Sequence, residues 1–81
     1  MKNESFETII TSDDKHDRVF CEIYFEGLFF ATISQERGEG LFDIETPDLG
    51  LVENRITRKA SLEEFQEAVE TAMRRLRGEE Q

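Results

Sequence analysis

Residues 18–35 read RVFCEIYFEGLFFATISQ, a run of aromatic and β-branched residues broken once, by Glu26-Gly27. The pattern predicts one long β-hairpin, because a two-residue turn ending in glycine suits the positive backbone angles that tight hairpins need. Counting back from Phe25 and Leu28 pairs Tyr24 with Phe29, Ile23 with Phe30, Cys21 with Thr32 and Phe20 with Ile33. Successive strand side chains point to opposite sides. Face A then carries Val19, Cys21, Ile23, Phe25, Leu28 and Phe30 with only Thr32 and Ser34 polar. Face B mixes Phe20, Tyr24, Phe29, Ala31 and Ile33 with Arg18, Glu22, Glu26 and Gln35. Face A is the predicted core face.

Residues 6–11, FETIIT, have strand composition, and the polar stretch 11–17 connects them to the hairpin. Residues 36–40 form a second turn, and 41–46, LFDIET, a strand with Phe42 and Ile44 on one side. A three-residue loop with Gly40 in its left-handed position would put Ile44 opposite Thr32 on face A; a loop one residue longer or shorter would reverse it. Pro47 ends that strand, since it has no donor for a ladder. Residues 48–59 space Leu49, Leu51, Val52 and Ile56 irregularly, with a short edge strand expected near 51–57. The segment 61–77 is a helix. Ser61 and Glu64 make a capping box, and Ala60 can meet Phe65 as a staple. Leu62, Phe65, Val69, Ala72, Met73 and Leu76 recur at three- and four-residue steps as one apolar stripe. Acids crowd the first turns and Arg74, Arg75 and Arg77 the last, as the helix dipole favours, and Gly78 stops the helix. The stripe also follows heptad spacing, but two heptads do not sustain a coiled coil alone.

These elements predict one α+β domain over residues 1–81, an antiparallel β-meander of about four strands with one C-terminal helix packed on one face; 1–5 and 79–81 are expected to fray. A 17-residue helix, about 25 Å by 10 Å, covers most of one face of a four-stranded sheet some 14 Å between outer axes and none of the other. Phe20, Tyr24, Phe29 and Ile33 then cluster on face B. Such a patch marks a contact surface, and Glu22, Glu26 and Arg18 would form its polar rim. The alternative is that 47–60 folds across face B. Phe20, Glu22, Tyr24, Glu26, Phe29 and Ile33 are therefore the candidate partner-binding residues.

Charge narrows the partner. Of the net −9, residues 1–53 carry the whole surplus, with 13 acids against 4 bases, while 54–81 hold 6 of each. Nucleic acid and anionic membrane are disfavoured, since both need a positive surface, and the basic strand motifs of aromatic RNA-binding sheets are absent. A basic protein partner fits. No apolar run approaches the roughly 18 residues of a membrane span, and the start, MKNESFETII, lacks the pattern of a secretion signal, so a cytoplasmic protein is expected.

Candidate chemistry is thin. Cys21 is the lone cysteine, excluding an internal disulfide, and its mid-strand place on face A reads as a small hydrophobe. Asp13, Asp14 and Asp17 do not match a calcium loop, so no metal is expected. His16, in the same loop, reads as exposed. Neither a triad nor a phosphate loop can be assembled, so no enzyme activity and no cofactor are expected. Two functions stay open: an interaction domain that meets a basic protein partner, or a homodimeric structural protein in which face B or an edge strand pairs with its own copy. A meander followed by SLEEFQEAVETAMRRL resembles the element order of many small bacterial proteins, among them immunity and toxin-neutralising proteins. That resemblance is one of order without a shared motif and transfers no residue roles; it implies blockade of a cationic toxin's active site, with charge steering the encounter.

Overall fold

The computed structural model describes residues 6–47 and 53–78. Leu49, Leu51 and Val52, expected to cover face B or form an edge strand, and the termini expected to fray lie outside the described residues. Strands β1 (Phe6–Thr11), β2 (Phe20–Phe25), β3 (Leu28–Ser34) and β4 (Asp43–Glu45) form an antiparallel sheet in chain order, followed by a 3-10 turn (Glu53–Arg55) and helix α1 (Leu62–Leu76). The α+β meander with one C-terminal helix against it is the architecture that the hydrophobic pattern predicts.

The β2–β3 turn has Glu26 at φ 52° and Gly27 at φ 82°. Two positive angles in succession are what a type I′ hairpin requires, and glutamate at the first of them costs about 1 kcal/mol relative to glycine. From the turn the register runs as expected, Phe25 opposite Leu28 and Tyr24 opposite Phe29. It then slips. Ile23 stands opposite Ala31, Glu22 opposite Thr32 and Cys21 opposite Ile33, which leaves Phe30 as the extra residue of a β-bulge. Past a bulge a strand presents its other side. The expected place of Ile33 on face B is thereby corrected: Ile33 is 3% exposed and belongs to the core with Cys21, Ile23, Phe25, Ala68 and Ala72. Thr32 and Ser34 move to face B in exchange. Packing explains the bulge, since it lets the Phe30 ring meet those of Phe25 and Phe65 edge-on, with centroids 5.0 and 5.7 Å away.

Helix α1 caps as its sequence predicts: the Ser61 hydroxyl oxygen accepts from the Glu64 N–H at 3.0 Å, and Gly78 follows the last turn at φ 80°. It packs on β1, β2 and, less, β3. Ala68 and Ala72 are its fully buried residues, while Phe65, Val69, Met73 and Leu76 flank them. Leu62, assigned to the stripe, is 68% exposed; the helix is rotated so that its smallest side chains meet the sheet. The Arg75 guanidinium donates to the Thr8 carbonyl and, at 2.7 Å, to its hydroxyl oxygen. One of the three C-terminal arginines thus ties the helix to β1 as well as complementing the dipole.

On the other side of the sheet β4 is short. Its loop is organised by the buried Gln35, whose Oε1 accepts from the Gly40 N–H at 3.0 Å, with Gly40 at φ 83°. Ile44 falls on the helix side, opposite Ile33 rather than Thr32. The helix lies over β1, β2 and part of β3, and Ile44 and the preceding Leu41 stay about half exposed. Where β4 ends, residues following the 3-10 turn continue the edge. Ile56 bridges Phe29 in parallel, and the Thr57 N–H donates to the Phe29 carbonyl at 2.9 Å.

Candidate functional site

Face B, the side away from the helix, divides into a sealed half and an open half. The sealed half lies over Phe20. Its ring is stacked at 4.3 Å beneath that of His16, which crosses over from the β1–β2 loop, and Phe20 is 4% exposed. The loop is shaped by an Asp13 carboxylate that accepts from the backbone N–H groups of Lys15 (2.9 Å) and His16 (3.0 Å). A Glu36 carboxylate accepts from the N–H groups of Asp17 and Arg18 at 2.8 and 2.9 Å, and these two bonds hold its pKa down. Residues 12–18 thus cover this half of face B.

His16, expected to be exposed, is the hub of that cover, with a side chain 14% exposed. Its Nδ1 lies 2.8 Å from Asp13 Oδ1 and its Nε2 3.3 Å from Glu45 Oε2. Both carboxylates are acceptors, so both contacts are satisfied together only by the doubly protonated ring. The bond to Asp13 is the main reason its pKa is raised; burial opposes this and Glu45 reinforces it. The Ser34 hydroxyl donates to the same Glu45 oxygen at 2.7 Å. Serine, carboxylate and imidazole thus come together in the wrong order for nucleophilic catalysis, which needs the hydroxyl on the imidazole. The cluster is a latch between the loop and β4. No local sequence signal marks it, because Glu45 lies 29 positions from His16.

The open half is a groove of about 760 Å³ lined by Glu22, Tyr24, Gly27, Leu28, Phe29, Asn54, Arg55 and Ile56. Tyr24 and Phe29 pack edge to face, centroids 5.6 Å apart at 61°. The Tyr24 hydroxyl donates to Glu22 Oε1 at 3.0 Å, and burial first, then Glu22, pushes its pKa up. Glu7 is the cross-strand partner of Tyr24 on β1.

Of the six candidate contact residues, the structure brings Glu22, Tyr24 and Phe29 together in this groove, with exposed Glu26 on the turn beside it. Phe20 is on face B but sealed under His16, and Ile33 is on the opposite face; neither is available to a partner. The far wall, Asn54 to Ile56, comes from a segment whose sequence pattern is irregular. Cys21, fully buried, has its thiol pKa raised by that burial. Among the described residues, no group of three or more His, Cys, Asp or Glu is placed to hold a metal ion, and no helix is long and apolar enough to cross a membrane.

Compared with known proteins, the chain matches no family model, no curated protein and no solved structure. The class defined by fold and site is an acidic α+β meander with an aromatic groove on its helix-free face.

Proposed function

We propose that the chain is a small cytoplasmic, non-enzymatic protein-interaction domain, acting as an immunity or inhibitor protein does, that offers the open half of face B to a basic protein partner. The observation that carries this reading is the groove itself: Tyr24 and Phe29 remain half-buried among Glu7, Glu22 and Glu26 on the face the helix leaves open. An aromatic centre with an acidic border suits a partner whose contact surface is cationic, and the surplus negative charge of residues 1–53 would steer the encounter. A homodimeric structural role is the second reading; it draws on β1, whose outer edge has no strand beside it among the described residues and carries the half-exposed Ile9.

The test is kinetic. A partner isolated on the immobilised protein is purified and re-bound by surface plasmon resonance. The expected result is an association rate that falls about tenfold or more between low and physiological salt, and that falls again in Glu22→Lys with Glu26→Lys. A partner that is not basic, or a rate indifferent to salt and to both reversals, overturns the reading.

A further inference from the structure

The groove has features that specify more than a sticky patch. Its floor is the Tyr24–Phe29 pair, two rings 5.6 Å apart and inclined at 61° to each other. Aromatic faces attract a cation held within about 6 Å of the ring centre. Beside them stands Glu22, fixed by the Tyr24 hydroxyl through one oxygen. A carboxylate has about four acceptor positions, so this bond orients Glu22 and leaves it able to receive more donors. The apolar remainder of the lining, Leu28, Phe29 and Ile56, offers contact to a hydrocarbon stem.

The geometry points to a receptor for one lysine or arginine side chain of a protein partner, its stem along Phe29 and Ile56 and its cationic head between the Tyr24 ring and the Glu22 carboxylate. This deepens the interaction reading above and rests on it. Charge selects the occupant. Glu22 lines the groove, Glu7 is the cross-strand partner of Tyr24 and Glu26 is on the adjoining turn, against Arg55 on the far wall. An anion would face the acidic side, and a purely apolar group would strip water from Glu22 without replacing it, which is costly. A long cationic side chain meets both needs, because its stem is apolar and its head carries the donors.

The probes are blocked tripeptides, acetyl-Gly-X-Gly-amide with X arginine, lysine, citrulline or norleucine, titrated into the full-length ¹⁵N-labelled protein. Arginine and lysine peptides are expected to give saturable shifts at the amides of residues 22–29 and 54–56, and citrulline, which keeps the shape and loses the charge, to bind about tenfold more weakly or worse. Glu22→Gln should weaken the arginine peptide to a similar degree. Tyr24→Leu, which keeps apolar bulk and removes the π face, should weaken it severalfold, and Arg55→Gln should tighten it. Spectra of the free variants check that each is folded.

Equal binding of arginine and citrulline would make the groove an apolar slot and overturn the proposal. So would arginine shifts that never saturate and spread to Asp14 and Glu39, the mark of diffuse attraction, or groove shifts that depend on protein concentration alone, the mark of a second copy. Failures here and in the interaction reading separate. Tripeptide binding as described, with partner binding unaffected by Glu22→Gln and Tyr24→Leu, leaves the receptor standing and removes its assigned use. Salt-dependent partner binding without any tripeptide response in the groove keeps the interaction reading and removes the receptor.

Discussion

His16 does at a single position what no local pattern requires: it closes the loop over Phe20 and joins it to β4. Its ring faces Asp13 on its own loop and Glu45 on β4, with the Glu36 carboxylate also in its field. All three are negative, and Asp13 and Glu45 raise the ring's pKa in the folded state against the opposing effect of burial. The sign of the linkage follows. A group whose pKa is higher in the folded than in the unfolded chain contributes stability that is fully present below the unfolded value, about 6.5 for histidine, and is lost as pH rises through the folded one. The wild type is therefore expected to lose urea resistance between pH 6 and pH 8 relative to His16→Gln, the two being compared at each pH. A His16→Gln variant with the same pH profile as the wild type would show that the latch carries no charge. Glu26 makes a smaller point at the same scale. It holds φ 52° where asparagine or glycine fits with less strain.

At the scale of elements, two choices decide the core. The bulge at Phe30 turns Ile33 inward and Thr32 and Ser34 outward, and this supplies the hydroxyl that binds Glu45. Helix α1 sets Ala68 and Ala72, rather than its larger residues, against Cys21 and Ile23. Such a contact admits little extra volume. Ala68→Leu is expected to cost about 1–3 kcal/mol by overpacking, whereas Leu62→Ser at the exposed first turn should change stability by less than about 0.5 kcal/mol. Urea midpoints at constant slope measure both; the reverse ranking would mean that the helix presents a different side to the sheet.

For the whole molecule, net charge bears on the choice between the two proposed readings. Copies that each carry a net −9 repel one another. Half-buried aromatic residues lie in separate places among the described residues, including Tyr24 and Phe29 in the groove and Phe30 and Phe65 beside the exposed Leu62, whereas stable complexes bury roughly 800 Å² per partner in one surface. Light scattering after size exclusion should therefore give the 9.5 kDa monomer across a dilution series at low and high salt. A doubled mass that persists on dilution would support the homodimer, with β1 or the groove as its seam.

The hairpin turn, the meander order and the capped helix were legible because each rests on neighbours in sequence. Glu26-Gly27 bends the chain by its own backbone preferences, Ser61 and Glu64 are three residues apart, and the helix stripe is a matter of period. The groove was half legible: Tyr24 and Phe29 follow from the register next to the turn, where the count had not yet slipped, and Glu22 from the alternation along β2, which a bulge on β3 does not disturb. Beyond Phe30 the same count misplaced Ile33, because no glycine marks the bulge; packing against Phe65, 35 positions away, is what rewards it. Phe20 was misjudged for a related reason, its cover being a histidine held by a distant glutamate. By itself, then, the sequence determined the four strands, the helix and their order, through turn chemistry, capping and periodicity acting over a few residues, but not the 3-10 turn at Glu53–Arg55, where an edge strand was expected. Tertiary structure alone decided which aromatic residues stay open, because that depends on contacts between segments far apart in the chain.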